Sequence, residues 1–136
     1  MVVDTNVFTA SLRGSQSPLA ALYAKHTTGR RIVVTPQTVA EAEYGALAAG
    51  WGTRRMTELA RRINEVAIVD VDPETTQIVA QLRNQCRLAG HALHQRFHNA
   101  DLWIAAAAVR WGLPLVAHDA VFIGCPLLDL RTEVGR

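Results

Sequence analysis

Short apolar runs alternate along this chain with longer stretches in which apolar residues recur at helical spacing. The runs are rich in valine, isoleucine and leucine and are continuous, as in parallel strands that are buried on both faces. They predict four strands and a possible fifth, at 1–5, 30–36, 66–71, 113–117 and 126–130.

Residue pairs that end in proline mark where three helices begin. Ser17, Thr35 and Asp72 each precede a proline, which places a capping side chain just before a proline at the first helical position. Helices that alternate with strands cover both faces of a mainly parallel sheet. We therefore predict an α/β fold of three layers with a central sheet of four to five strands.

The length and composition of the chain limit its class. Its 136 residues suffice for one hydrophobic core, so we expect a single domain over 1–136. Apolar residues make up 49% and charged residues 19%, which excludes a disordered tail. No run approaches the roughly 18 to 20 apolar residues that cross a bilayer, and the first residues lack a signal-peptide pattern. We expect a soluble, cytoplasmic protein without membrane contact.

The cysteines and the net charge exclude few classes of function. Cys86 and Cys125 lack Cys-x-x-Cys spacing, so we expect two buried thiols rather than a zinc site or a disulfide framework. The net charge is +2, and thirteen of the fourteen basic residues are arginines. Arginine suits a bidentate grip on phosphate, although genome composition is the simpler explanation of this bias.

Two aspartates follow predicted strands. Asp4 ends the first apolar run and Asp119 lies just beyond the fourth. A charge at the end of a buried strand indicates that this end opens onto solvent or a ligand, and in open α/β sheets ligands bind at the carboxyl ends of the strands. We expect both carboxylates at that edge of the sheet.

Two further acids fall early in predicted helices. Glu41 lies in the second turn of one helix, and Asp101 in the first turn of a helix over 101–111 with Asn99 as its cap. Helices that follow parallel strands begin above the carboxyl edge, so all four acids are expected to converge there. Each acid alone has an ordinary explanation as a turn, loop or helix-end residue, and Glu43 is a rival of Glu41.

Clustered carboxylates repel one another unless a cation neutralises them. Oxygen ligands without a cysteine or histidine set select magnesium or manganese over zinc or copper. Such ions lower the pKa of a bound water and stabilise charge on a leaving oxygen, which is the chemistry of phosphodiester hydrolysis. The acidic cluster therefore predicts a metal-dependent nuclease.

Four segments carry a resemblance to a known family. They are 2–8 (VVDTNVF), 39–46 (VAEAEYGA), 99–108 (NADLWIAAAA) and 112–122 (GLPLVAHDAVF). In the order and spacing of these segments the chain resembles PIN-domain proteins, and in particular the VapC toxins of bacterial toxin–antitoxin pairs. The resemblance implies a PIN fold and an endoribonuclease that needs Mg²⁺ or Mn²⁺.

The resemblance also implies site residues and partners. The family's acidic positions, which serve catalysis and bind metal, correspond to Asp4, Glu41, Asp101 and Asp119. Its usual polar neighbours of the first acid correspond to Thr5 and Asn6, and Gly45 at the expected distance supports Glu41 over Glu43. Proteins of this type pair with a small VapB-like antitoxin that blocks the acidic groove, and they commonly form homodimers.

Two features depart from the family pattern. Ala117 stands where many relatives place a serine or threonine that supports the metal site, so metal affinity or water positioning is expected to differ. Only three residues precede Asp4, so we expect either a short first strand or a natural start slightly upstream of Met1. Neither departure removes an acid.

Basic residues near Asp101 are candidates for RNA binding. The segment 83–98 contains Arg87, Arg96 and three histidines and leads into the helix of Asp101. Cationic contacts dominate nucleic-acid affinity, but a solvated helix face followed by a polar loop explains the segment equally well. His118 is a candidate substrate contact or an ordinary loop histidine.

Three rival functions are weighed against the nuclease. A phosphatase of the haloacid dehalogenase type needs a second aspartate two residues after Asp4, where this chain has Asn6. A nucleotide-binding protein needs a glycine-rich phosphate loop, which the sequence lacks. A non-catalytic PIN-like module that binds RNA or an antitoxin would be expected to have lost an acid, and all four are present. It remains the main alternative.

Overall fold

The computed structural model describes residues 1–135, with Ser15 described by its backbone alone. Five parallel strands form one sheet in the order β3-β2-β1-β4-β5. They are β1 (Val2–Val3), β2 (Val33–Val34), β3 (Ala67–Ile68), β4 (Leu115–Val116) and β5 (Leu130–Arg131). The mainly parallel α/β sheet predicted from the sequence is confirmed.

Six α-helices connect the strands: α1 (Thr5–Ser11), α2 (Pro18–Thr27), α3 (Pro36–Ala48), α4 (Thr53–Glu65), α5 (Pro73–Ala89) and α6 (Asn99–Trp111). The three predicted helix starts are confirmed. Ser17, Thr35 and Asp72 each accept a hydrogen bond on the side chain from a backbone N–H in the first turn, with proline at the first helical position. No helix within residues 1–135 is long and apolar enough to cross a membrane.

The core is divided between the two faces of the sheet. Val2 and Leu115 belong to one cluster, which packs against α5 and α6, whereas Val3 and Val116 belong to a second cluster on the side of α1 to α4. Successive residues of a strand point to opposite faces, so each two-residue strand contributes to both layers. The result is a three-layer arrangement.

Two local predictions were wrong. β5 covers Leu130–Arg131 rather than 126–130, because Leu127 has a φ of +66° and the chain turns before it enters the sheet. Asn99 is the first residue of α6 and not its cap; a 3₁₀ turn over Arg96–His98 runs directly into the helix, and His98 occupies the cap position without a capping side-chain bond.

The two cysteines are buried, as predicted. Cys86 on α5 and Cys125 contact each other within the core cluster that covers α5 and α6. Burial raises the pKa of the Cys125 thiol to about 12. Both groups are therefore neutral, unreactive thiols at physiological pH.

Candidate active site

Asp4 is the buried centre of the carboxyl edge. It follows β1 directly, its N–H donates to the Val116 carbonyl of β4 over 3.0 Å, and the residue is only 3% exposed. Its Oδ1 accepts the Val7 N–H at 2.9 Å and so caps α1, while its Oδ2 accepts the His118 N–H at 3.3 Å. One main-chain donor on each oxygen fixes the orientation of the carboxylate.

Asp119 lies at the same edge because β1 and β4 are neighbours in the sheet. It follows β4 by three residues, and its Oδ1 accepts the Val121 N–H at 2.9 Å, which caps a 3₁₀ turn over Ala120–Phe122. The two carboxylates predicted at strand ends lie close enough for the charge of Asp119 to raise the pKa of Asp4.

Glu41 reaches this edge from α3, which begins right after β2. The Thr5 hydroxyl donates to Glu41 Oε1 over 3.2 Å and lies 3.1 Å from the Thr38 hydroxyl. The charge of Glu41 contributes to raising the pKa of Asp101, which places Glu41, and not its rival Glu43, beside the other acids.

Asn6, the other predicted polar neighbour of Asp4, braces the loop after β4. Its side-chain amide donates to the His118 carbonyl over 3.3 Å. Both main-chain groups of His118 are therefore hydrogen-bonded: its N–H to Asp4 and its carbonyl to Asn6.

Asp101 reaches the edge from the first turn of α6. This helix is joined to β4 by three residues only, Gly112 to Pro114, so α6 runs antiparallel to the strand and starts above its carboxyl end. The carboxylate is half-buried, and its Oδ2 lies 3.6 Å from Nδ1 of His98. Sequence analysis did not single out His98 as a contact of the acid; its spacing of three residues before Asp101 was the available signal.

Burial and neighbouring negative charge raise the proton affinity of Asp4 and Asp101. Burial is the main cause that raises the pKa of Asp4 to about 7. The two backbone N–H donors lower this pKa, and the charges of Asp119 and Asp101 raise it further. Burial also raises the pKa of Asp101, followed by the charges of Asp119 and Glu41, while His98 opposes the rise. A cation bound close to Asp4 and Asp101 would oppose these rises and favour the charged form of both carboxylates.

The donor set fits a hard divalent cation held by few protein ligands. Among residues 1–135, no three carboxylate, imidazole or thiol groups lie close enough to enclose a metal ion by themselves. Mg²⁺ is usually bound by one or two carboxylates, several waters and substrate phosphate oxygens rather than by a closed protein cage. An open cluster of oxygen donors matches that mode of binding.

Comparison with known proteins agrees with this arrangement. The sequence matches the PIN domain over residues 1–124. The chain belongs to the PIN-domain family. Ribonuclease VapC5 of Mycobacterium tuberculosis is 32% identical over 123 residues, which cover 89% of this chain and 84% of that protein. The predicted resemblance is thereby confirmed.

Solved structures share the PIN-domain fold. A chain of the toxin–antitoxin complex VapBC-5 from Mycobacterium tuberculosis matches with a TM-score of 0.62 and 27% identity, covering 96% of this chain and 94% of that one. A chain of VapBC2 from Rickettsia felis, bound to a DNA fragment from its promoter, matches with a TM-score of 0.77 and 20% identity over 96% of each chain.

Two of the basic residues predicted to bind RNA, Arg87 and Arg96, are exposed on the side of this PIN domain where α6 begins. Arg110 near the end of α6 pairs with Asp72 at the start of α5 over 2.7 Å, so the helices are antiparallel and α5 ends on the side where α6 begins. Arg87 is exposed near that end of α5 and lines an open groove of about 600 Å³. Arg96 is exposed in the 3₁₀ turn before α6.

His118 is held by a residue that sequence analysis missed. The Tyr23 hydroxyl lies 3.0 Å from His118 Nδ1, donates to the Ala117 carbonyl over 3.0 Å and accepts the Glu133 N–H at 2.9 Å. Tyr23 is 1% exposed, and no local pattern reveals contacts with residues so far along the chain. In this PIN domain His118 therefore supports the loop after β4 more directly than it offers a substrate contact.

Ala117, the departure from the family pattern, is fully buried at the end of β4. Its N–H donates to the Arg131 carbonyl and its carbonyl accepts the Tyr23 hydroxyl. The methyl group brings no hydroxyl to the site. Thr5, Thr38 and Asn6 supply neutral polar groups near the acids.

Proposed function

We propose that this chain is an endoribonuclease of the VapC type that needs Mg²⁺ or Mn²⁺ and acts as the toxin of a toxin–antitoxin pair. The observation that carries the proposal is the burial of Asp4 beside Asp119 and Asp101, whose charges add to the rise of its pKa. Burial of a carboxylate without a cationic partner costs free energy, and a bound cation would offset that cost. The 32% identity with Ribonuclease VapC5 gives independent support.

The catalytic and metal-binding roles are assigned to Asp4, Glu41, Asp101 and Asp119. Asp4 presents a carboxylate oriented by the Val7 and His118 N–H groups, and Glu41 is positioned by the Thr5 hydroxyl. A divalent cation, when bound, supplies positive charge for the attack of water on phosphorus and for the leaving oxygen. The carboxylates at the open edge then orient substrate and can accept a proton from the attacking water.

RNA, a VapB-like antitoxin and a second copy of the chain are the proposed partners. The solved relatives named above are chains of VapBC complexes, which supports an antitoxin partner here. For RNA, Arg87 and Arg96 are the proposed backbone contacts, because both are exposed on the side of the molecule where α6 begins. His118 is a further proposed RNA contact; its Nδ1 lies 3.0 Å from the Tyr23 hydroxyl, which leaves Nε2 for such a contact.

The test is cleavage of RNA by protein freed of any antitoxin. We would incubate it with total cellular RNA and Mg²⁺ or Mn²⁺, with a chelator control, and compare Asp4→Asn and Asp101→Asn with the unaltered protein. Discrete fragments that disappear with chelator and with either variant are expected. Unchanged cleavage by a clean preparation of Asp4→Asn would refute the assigned site.

Glu41 and Glu43 provide a matched pair for the same assay. Both are exposed and lie two residues apart on α3, but only Glu41 accepts the Thr5 hydroxyl. Glu41→Gln should lower cleavage strongly and Glu43→Gln should leave it near the unaltered level. If the metal binds but no RNA is cut by the unaltered protein, the non-catalytic PIN-like module becomes the better description.

A further inference from the structure

Phe97 is exposed beside the acidic cluster. Its side chain is 79% exposed, more than any other large apolar residue within residues 1–135. It does not belong to either core cluster, so the ring is not part of the hydrophobic core. A single exposed apolar residue needs no explanation by itself, so the significance of this ring depends on the groups around it.

The ring is held in place rather than carried on a loose loop. Phe97 is the middle residue of the 3₁₀ turn over Arg96–His98, and the His98 N–H donates to the Gln95 carbonyl over 3.0 Å. Arg83 on α5 ties the preceding turn to the helix, because its Nε donates to the His94 carbonyl over 3.1 Å. The phenyl ring packs on the His98 imidazole with centroids 4.0 Å apart.

His98 links this ring to the acids. Its Nδ1 lies 3.6 Å from Asp101 Oδ2, so Phe97 is separated from a proposed metal ligand by a single imidazole. Arg96 precedes Phe97 in the same 3₁₀ turn, and Arg87 is exposed near the end of α5, on the side of the molecule where this turn leads into α6. An aromatic face flanked by cations is the arrangement by which proteins bind single-stranded nucleic acid, with bases stacked and phosphates paired.

We propose that Phe97 stacks on a base of the single-stranded RNA next to the phosphate that is cut, and thereby sets the position of the strand over the acids. This inference rests on the proposed nuclease function and adds to it a contact with a base. A phenyl ring has no hydrogen-bonding group, so the contact tolerates different bases and contributes affinity and register more than sequence choice.

The experiment compares two RNA strands of equal charge. In the Asp4→Asn background, which should bind RNA without cutting it, the affinity of Phe97→Ala is measured for a mixed-sequence dodecamer of single-stranded RNA and for the same dodecamer with abasic central nucleotides. Phe97→Ala should weaken binding of the normal strand by roughly 5- to 100-fold. It should leave binding of the abasic strand unchanged, and Phe97→Trp should restore tight binding.

Leu47→Ala is the matched control, since Leu47 is also an exposed apolar residue, 67% exposed, but lies in the last turn of α3. It should bind both strands like the parent protein. Equal loss for the normal and the abasic strand would overturn the stacking role. Conversion of a dimer to a monomer by Phe97→Ala in sedimentation, without selective loss for the normal strand, would assign the ring to an interface between copies instead.

Failure of this proposal is distinguishable from failure of the nuclease. If the unaltered protein cuts RNA with metal and Phe97→Ala binds the normal dodecamer as tightly as the parent, only the stacking role is wrong. If the unaltered protein neither cuts nor binds RNA, both proposals fall together. Circular dichroism of each variant verifies the fold, which a change at so exposed a residue should not disturb.

Discussion

The N–H of His118 donates a hydrogen bond to Asp4 Oδ2 across 3.3 Å, and it joins the ends of two neighbouring strands, β1 and β4. The same segment is held from the other side, since the Ala117 carbonyl accepts the Tyr23 hydroxyl. Asp4 therefore receives its orientation from a loop whose own position depends on α2 and on the C-terminal segment at Glu133.

Removing one oxygen atom from Tyr23 tests this support. Tyr23→Phe leaves the Ala117 carbonyl and the Glu133 N–H without their buried partner, so the free energy of unfolding should fall by about 1 to 3 kcal/mol. Because the loop also orients Asp4, Mn²⁺ affinity should fall as well. Urea unfolding and Mn²⁺ titration by electron paramagnetic resonance measure the two effects. Lost stability with unaltered Mn²⁺ affinity would limit Tyr23 to a structural role.

Asp4 should make the metal-free protein less stable as pH rises. Burial raises its pKa from the ordinary 3.8 to about 7. Between these values the folded chain keeps a proton that the unfolded chain has released, so the free energy of unfolding falls with increasing pH across this window. The loss should be on the order of a few kcal/mol. Urea unfolding in chelator between pH 4.5 and pH 7.5 measures it.

Asp4→Asn is the control for this pH dependence. Asparagine keeps an oxygen acceptor for the Val7 N–H but carries no charge, so its stability should vary much less over the same range. Mg²⁺ at pH 7.5 should stabilise the unaltered protein and have little effect on the variant, because a ligand that binds only the folded state raises its stability. Parallel pH profiles for the two proteins would show that Asp4 does not carry the proton.

The sequence predicts some parts of this site for a physical reason and others only by resemblance. Asp4 and Asp119 follow buried apolar strands, and the direction of a parallel strand alone determines the edge at which they lie. Asp101 reaches the same edge differently: its helix, α6, precedes β4 and runs antiparallel to that strand, so the first turn of α6 lies above the carboxyl end of β4. The 3₁₀ turns that lead into α6 have no periodic pattern, which is why the helix start was misplaced by two residues.

Long-range polar contacts mark the limit of such reasoning. Tyr23 contacts Ala117 and Glu133, which lie 94 and 110 positions further along the chain. A pattern of apolar residues gives no sign of hydrogen bonds made by its hydroxyl. Phe97 was equally hidden, since an isolated phenylalanine reads as a core residue until its exposure is seen. Apolar periodicity therefore predicts the layers of this fold, whereas the supports of the acidic cluster depend on how distant segments pack.

Glu133 should stabilise the C-terminal segment in a pH-dependent way. Its Oε1 lies 2.9 Å from Lys25 Nζ and 2.7 Å from His26 Nε2, and these partners lower the pKa of Glu133 to about 2. A depressed pKa adds stability above the ordinary value of a glutamate, and this contribution is lost as pH falls towards 2. Glu133→Gln should lower the urea midpoint modestly at pH 6, because Lys25 is exposed to solvent.

The difference between unaltered protein and Glu133→Gln should shrink between pH 5 and pH 3. Glu58→Gln serves as the control, because Glu58 pairs with Arg61 on the surface of α4, where both side chains are more than half exposed. Its effect should be near zero throughout. A Glu133→Gln difference that stays constant down to pH 3 would mean that packing, and not charge, accounts for the contribution of this residue.

Arg87 and Arg96 should each account for about one phosphate contact. With Asp4→Asn as the uncut background, affinity for a mixed-sequence single-stranded RNA should fall linearly with the logarithm of salt concentration. Arg87→Ala or Arg96→Ala should weaken binding at low salt and reduce the magnitude of that slope by about 0.7, the value for one neutralised phosphate on a single strand. Fluorescence anisotropy at several salt concentrations provides both quantities.

Arg30→Ala separates a local contact from a change in overall charge. Arg30 is exposed and precedes β2, so it lies at the amino edge of the sheet, opposite the acids, while its removal lowers the net charge by the same one unit. A bound strand that runs along the end of α5 and past the 3₁₀ turn is out of its reach. If Arg30→Ala flattens the salt dependence as much as Arg87→Ala does, RNA is attracted by the charge of the whole molecule and the assigned path is wrong.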